Sequence, residues 1–262
     1  MRNFKLVVAY DGTRYHGFQI QKGTRLPTIQ GTLEQALTIL TKEEIKITGA
    51  GRTDAGVHAQ GQVVNFLSNT LVPVERFPLA VNSLLPEDIV VLQAEEVPVD
   101  FHACFSAERK TYCYTFYNSR MRDPFCRYFA FRVPVSLDLT EMNKACRLFV
   151  GEHDFSGFCA SGSAVKNFTR TIYNCFIEKE DKIIRFLVTG NGFLYNMVRI
   201  MAGTLLEIGQ GKRKAEDVAN LLQKGQRKLS GITLPPQGLC LLSVGYDENT
   251  LTQPATCIKI NQ

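Results

Sequence analysis

Apolar and polar positions along this chain follow two periods, and the switches between them mark out its elements. "FKLVVAY" (residues 4–10) reads as a strand. "TIQGTLEQALTILTKE" (28–43) reads as a helix, because Ile29, Leu33, Ala36, Leu37 and Leu40 recur at helical spacing. Strands are expected at "EIKITGA" (44–50) and "GQVVNFL" (61–67), a helix around "VERFPLAVNSLL" (74–85), and a strand at "DIVVLQAEEV" (88–97). The order β-α-β-β-α-β is the split pattern of ferredoxin-like folds.

The second half repeats that alternation with embellishments. "ERKTYCYTFYN" (108–118) is expected as a strand and "LTEMNKACRLFVG" (139–151) as a helix. "TRTIYNCFIEKE" and "KIIRFLVTG" predict a hairpin turning near 180–181; "GFLYNMVRIMAGTLLEIG" (192–209) predicts the longest helix and "GLCLLSVGY" a closing strand. The expected class is α+β. It comprises two ferredoxin-like (RRM-like) halves related by pseudo-twofold symmetry, with abutting antiparallel sheets, helices on one face and a central basic cleft. The boundary falls near 98–107, giving halves 1–104 and 105–262.

Composition narrows the class of protein. With 45% hydrophobic and 21% charged positions among 262 residues, the chain reads as globular with a sizeable core. No stretch of about 18 apolar residues and no signal-like N-terminus is present, so a cytoplasmic protein without membrane attachment is expected. The eight cysteines form no C-x-x-C pair and several sit in apolar runs, which fits buried reduced thiols better than a zinc or redox site. The four histidines have no metal-binding spacing.

The net charge of +5 is mild, but its distribution is uneven. Arg109, Lys110, Arg120, Arg122, Arg127 and Arg132 interleave with Tyr112, Tyr114, Phe116, Tyr117, Phe125, Tyr128, Phe129 and Phe131. Such a stretch suits an RNA surface, where cations meet phosphates and rings stack on bases. It equally suits a strand with aromatics inside and charges in water.

"GAGRTDAGVHA" (49–59) joins two strands through a loop too long for a tight hairpin. Gly49, Gly51 and Gly56 permit positive φ and close approach of a ligand. A phosphate cradle is one reading, although no G-x-x-x-x-G-K-[ST] is present. A plain glycine-rich connection with an Arg52–Asp54 ion pair is another. A third makes Asp54 a nucleophile or general base, kept ionised by a nearby arginine.

These residues also carry a resemblance. "GRTDAGVHA" is similar to the signature of the tRNA pseudouridine synthase A family, and so, in order, are "YDGTRYHGFQIQ…TIQGTLEQAL", "FHACFSAERKTYCYTFYN", "GEHDFSGFC", "VKNFTRTIY", "NGFLYNMVRIMAGTLLEIGQGK" and "LPPQGLCLLSVGY". The similarity is collinear over about residues 4–246. It implies a cofactor-free, metal-free isomerase that converts uridine to pseudouridine at nucleotides 38, 39 and 40 of the tRNA anticodon stem-loop, acting as a homodimer. Asp54 matches the family's essential aspartate, attacking C1′ or deprotonating C2′. Tyr112 matches its active-site tyrosine, stacking on the flipped uracil with a hydroxyl near the departing C5 proton. Arg199 matches an arginine that pairs with the aspartate.

Helical geometry puts Leu194, Met197, Val198, Met201, Leu205 and Ile208 on one apolar face. Arg199 stands off it, beside Ala202 and Gly203, where another element can come close. Arg52 also matches a family arginine, placed to fill the gap left by the flipped base or to hold the adjacent phosphate. Arg52, Arg109, Lys110 and Tyr112 are thus the expected substrate-binding set, with further phosphate contacts or plain surface charge at Lys212, Arg213, Lys214, Arg227 and Lys228. His58 is expected to shape the loop. Phe18, Cys104 and Leu234 stand where the family often has Trp, Arg and Ala. The competing readings are a noncatalytic RNA-binding protein of this fold, a paralogue with different target uridines, and a metal-dependent RNA hydrolase using Asp54 and His58.

Overall fold

The computed structural model describes residues 1–21, 23, 26–162 and 165–246. Among them the chain forms two units, one of Met1–Glu108 with 241–246 and one of Arg109–Cys240. Cys257 lies outside the described residues. The class is α+β, and nearly every strand pairing is antiparallel.

In the first unit β1 (Arg2–Tyr10), α1 (Ile29–Thr41), β2 (Thr48–Gly49), β3 (His58–Ser68), α2 (Phe77–Asn82) and β4 (Ile89–Val97) follow the expected order. The sheet runs β4-β1-β3, with β2 also paired to β3. The β1–β3 register sets Phe4 opposite Phe66, so both rings point to one face. Their centroids lie 5.3 Å apart, and Phe77 of α2 sits 4.8 Å from Phe4. Helix α1 starts where Thr28 accepts the Gly31 amide at 3.2 Å, an ordinary N-cap.

The strand expected over 44–50 shrinks to Thr48–Gly49. The cause is local. The Ile45 amide donates to Thr38 Oγ1 and the Ile47 amide to the buried carboxylate of Glu34, both on α1, so those amides do not serve a ladder.

The second unit holds β5 (Arg109–Asn118), β6 (Phe131–Val133), α3 (Leu139–Phe149), β7 (Gly151–Asp154), β8 (Thr169–Glu180), β9 (Ile183–Gly190), α4 (Met197–Gly209) and α5 (Asp217–Lys224). Its strands run β5-β9-β8-β7, and the short β6 pairs with β5 in parallel. The β8–β9 hairpin turns at 181–182, where Asp181 adopts φ 51°. Asn143 locks α3 to β8, exchanging hydrogen bonds with the Ile177 amide (2.8 Å) and carbonyl (3.1 Å).

Helix α4 begins at Met197, five residues later than its apolar pattern predicts, because Asn196 takes φ 60° and breaks the helical path. The helix is also buried nearly all round rather than on one face; Arg199 and Glu207 are its two half-buried polar positions. The closing strand, β10 (Leu239–Gly245), has its residues 241–245 beside β3 in the first unit. Six of the seven described cysteines are buried, and all seven are thiols. Among the described residues no helix is long and apolar enough to cross a membrane.

Candidate active site

Asp54 sits at the head of a turn between β2 and β3, closed by the Val57 amide donating to the Asp54 carbonyl at 3.1 Å. Gly56 is the left-handed residue of that turn, with φ 76°. The other two glycines have different jobs from the one expected of them, since neither takes a positive φ. Gly49 is bare because the Phe18 ring lies 2.5 Å from where a Cβ would stand. Gly51 offers its carbonyl to Gln62 Nε2 at 2.8 Å.

The turn is held on both flanks of the exposed Arg52. Besides gripping Gly51, Gln62 reaches the Tyr10 hydroxyl at 3.5 Å. That hydroxyl in turn lies 2.8 Å from Thr53 Oγ1. The Thr53 carbonyl accepts the Phe18 amide at 3.0 Å. Tyr10 and Thr53 are 4% and 6% exposed, so this network is shielded from competing water. From the outer side, Gly12 lets the Val57 carbonyl approach to 2.0 Å of its missing Cβ position.

His58 fixes the far end of the loop. Its Nδ1 accepts the Gly12 amide at 3.2 Å and lies 3.1 Å from Asp11 Oδ1. The amide is a fixed donor, so Nδ1 is its acceptor. A cavity of about 400 Å³ opens beside Ala55 and Gly56, with Arg14, His16 and Pro27 on its wall. Asp54 itself is half-buried, between a shielded backbone and solvent.

Tyr112 belongs to the second unit, on β5 with Arg109 and Lys110. Its ring is 7% exposed and meets Phe193 edge-on, with centroids 5.1 Å apart and planes at 81°. Arg109 and Lys110 are half-buried at the start of the strand. Two residues on, Tyr114 points to the same face of β5 as Tyr112. Its hydroxyl donates to the Pro235 carbonyl at 2.9 Å, and burial holds it protonated far above the ordinary range.

Arg199 stands in the first turn of α4. Its Nε donates to the Leu234 carbonyl and its Nη1 to Asn196 Oδ1, each at 2.7 Å. The expected close approach of another element is real: the Ile232 carbonyl lies 1.9 Å from where a Gly203 Cβ would stand. The segment 230–235 therefore runs against bare helix backbone. It presents Leu234 to Arg199 and Pro235 to Tyr114, and the Gly231 amide donates to Thr204 Oγ1 at 3.0 Å.

Two of the peripheral cations have structural duties. Arg213 pairs with Glu207, and Arg227 donates to the Gly231 carbonyl and to Thr233 Oγ1, both at 2.9 Å. Sequence reasoning missed Tyr10, Gln62, Phe193 and Tyr114, whose only sequence signals were their places in the alternating runs of strands or beside a glycine.

A model of a family described as tRNA pseudouridine synthase matches residues 6–106 and 145–247. A protein of Acetivibrio thermocellus named tRNA pseudouridine synthase A is 47% identical over 246 residues, covering 94% of this chain and all of that one. Its namesake in Citrifermentans bemidjiense is 48% identical over 249 residues, covering 95% and 99%. A protein of Clostridium perfringens named tRNA pseudouridine synthase A 2 is 46% identical over 246 residues, covering 94% and 100%. Among solved structures, the archaeal box H/ACA sRNP Nop10-Cbf5 complex matches with TM-score 0.37 and 13% identity, covering 93% of this chain and about half (49%) of that one, too loosely to bear on function. The family match spans most of the chain and takes in Asp54 and Arg199. With relatives of this identity along their whole lengths, the chain belongs to the tRNA pseudouridine synthase family, and within it to the tRNA pseudouridine synthase A group of isomerases.

Proposed function

We propose that this protein isomerises uridine to pseudouridine at nucleotides 38, 39 and 40 of the tRNA anticodon stem-loop, without a cofactor and through Asp54. The observation that carries the reading is the Asp54 turn: a half-buried carboxylate on a backbone clamped from three sides, inside a chain of this family. Such a clamp suits a group that must meet a reacting carbon within a fraction of an ångström.

The reaction is an isomerisation, so every atom of the nucleoside is kept. The C1′–N1 bond breaks, the freed uracil turns, C5 bonds to C1′, and the C5 proton leaves while N1 gains one. Asp54 starts it, either by attacking C1′ or by taking the C2′ proton. Tyr112, its ring held by Phe193, supplies a stacking face for the extruded uracil and a hydroxyl for the proton leaving C5. Arg199 offers a cation to the aspartate. Its Nε and Nη1 are aimed by two neutral acceptors, the Leu234 carbonyl and Asn196 Oδ1. Arg52 occupies the place of the departed base or grips the neighbouring phosphate, and Arg109 and Lys110 add phosphate contacts. We further infer a cytoplasmic homodimer, and two halves of ferredoxin-like ancestry.

Tritium release from tRNA carrying 5-tritiated uridine tests the reading. Wild type is expected to release tritium; Asp54→Asn is expected to release none while still binding tRNA. Near-normal release by Asp54→Asn refutes the role of Asp54. Binding without release by the wild type favours a noncatalytic RNA-binding protein instead. Mapping of the modified nucleotides checks positions 38–40 and separates the general enzyme from a paralogue with other targets.

A further inference from the structure

We propose that the loop over residues 119–130 is a preformed RNA-docking surface, gripping tRNA backbone and an unpaired base at a distance from the nucleotide that reacts. This rests on the substrate being tRNA. The loop follows β5, whose start carries Tyr112. Tyr112 and Asn118 are six strand steps apart, about 20 Å at the usual rise.

Charge is the first observation. Arg120, Arg122 and Arg127 are exposed, and among the described residues none is ion-paired. The loop's one acid, Asp123, is half-buried and engaged within the loop: it accepts the Phe125 amide at 2.8 Å and the Cys126 thiol at 3.5 Å. Three cations without counter-charge repel one another and gain from a polyanion.

Exposed apolar surface is the second. Phe125 is 82% and Met121 75% exposed, and the Arg127 guanidinium lies 4.2 Å over the Tyr128 ring. Rings flanked by guanidinium groups are what single-stranded bases stack on.

Rigidity is the third. Cys126 and Ala130 are buried with Tyr117 against Ile183, anchoring the loop from beneath. The Arg132 guanidinium ties down the Arg120 carbonyl at 3.0 Å, and the Asn118 amide holds the Val133 and Val135 carbonyls. A loop fixed in this way keeps its apolar tips outward and loses little freedom on binding. It also lies in the stretch 107–144 that the family model leaves unmatched. A second copy of the chain fits less well, because two such loops would face each other with like charge.

The test uses the full chain, unmodified tRNA transcript and two variants: the triple Arg120→Gln/Arg122→Gln/Arg127→Gln, and Phe125→Ser. All four positions are exposed, so unchanged melting is expected and is checked first. Titration at several salt concentrations should show the triple variant binding about 10–100-fold more weakly. Its log–log salt slope should be shallower by about two to three, near one per lost phosphate contact. Phe125→Ser should weaken binding about 5–100-fold, the cost of one stacked base, with little change in slope. Tritium release at saturating tRNA should stay at the wild-type rate for both.

Wild-type affinity and slope in the triple variant overturn the proposal. So does sedimentation showing that either variant falls from dimer to monomer with tRNA affinity per protomer unchanged, since the surface would then be a protein interface. Weakened binding in the variants, alongside a wild type that releases no tritium, supports the docking surface and refutes the synthase reading separately.

Discussion

Removing the Tyr10 hydroxyl is the sharpest probe of how the Asp54 turn is held. Tyr10→Phe keeps the ring in its core position and deletes one atom, 2.8 Å from Thr53 Oγ1. The Thr53 hydroxyl, buried at 6% exposure, then loses that partner. An unsatisfied buried group costs about 1–3 kcal/mol, whereas removing both partners forfeits only the net bond of about 0.5–1.5 kcal/mol. Thr53→Val should cost a similar amount alone. The double variant should be less damaged than the sum of the two by about 1 kcal/mol, the signature of direct coupling. If the clamp positions Asp54, turnover should fall about tenfold in Tyr10→Phe, roughly 1.4 kcal/mol of transition-state stabilisation, with KM moving less than twofold. Denaturant melts give the stabilities, and tritium release over a range of tRNA concentrations separates kcat from KM. A Tyr10→Phe enzyme that loses stability yet turns over at the wild-type rate would sink the positioning role. Strictly additive singles would sink the coupling.

Gly203→Ala forces a methyl group to within 1.9 Å of the Ile232 carbonyl, so segment 230–235 must move. Melts should show a loss of about 1–3 kcal/mol, and kcat should fall with it because Arg199 is held through Leu234. Arg199→Lys keeps the charge but cannot bridge the Leu234 carbonyl and Asn196 together, so kcat should drop at least tenfold with tRNA affinity nearly unchanged. Burial foremost, with Asp123 beside it, pushes the Cys126 thiol up to about 11. Alkylation followed by peptide mass spectrometry should therefore find Cys126 inert at pH 8–9 and reactive only toward pH 11, since the thiolate is the nucleophile. Because the folded state keeps that proton longer, its share of stability is complete below pH 9 and is lost as pH rises through 11; prompt labelling at pH 8 contradicts this.

The elements that periodicity located well are those whose packing agrees with their sequence. Phe4, Leu6, Val8 and Tyr10 alternate inward on β1, and Ile29, Leu33, Ala36 and Leu37 line α1. Where a tertiary bond overrode the local pattern, the reading failed. Residues 44–47 look like strand, yet Thr38 and Glu34 take the Ile45 and Ile47 amides. The start of α4 fails for a backbone reason, a left-handed Asn196 that apolar periodicity does not register. The same division holds for the site. Asp54, Tyr112 and Arg199, the proposed site residues, were singled out because they sit in compact motifs. Their supports were not: Tyr10 reaches Thr53 across 43 positions, and Tyr114 reaches Pro235 across 121.

One physical device recurs in the two units. Each has a glycine whose missing Cβ admits a foreign carbonyl near a proposed site residue's segment, Val57 against Gly12 in one and Ile232 against Gly203 in the other. A buried tyrosine hydroxyl then bonds into the admitted or adjoining segment: Tyr10 to Thr53, and Tyr114 to Pro235. Backbone packed on backbone has few soft torsions to absorb a displacement. The carboxylate on the first segment and the guanidinium above the second thus inherit the stiffness of the sheets beneath them. A loop bearing a catalytic group ordinarily trades precision for access. Here Arg52 is exposed while the residues on both sides of it are held by hydrogen bonds, which separates the side chain proposed to meet the RNA from the backbone that carries Asp54. That division requires Arg52→Ala to act mainly on tRNA binding and Tyr10→Phe mainly on turnover, and the two effects to be independent when the changes are combined.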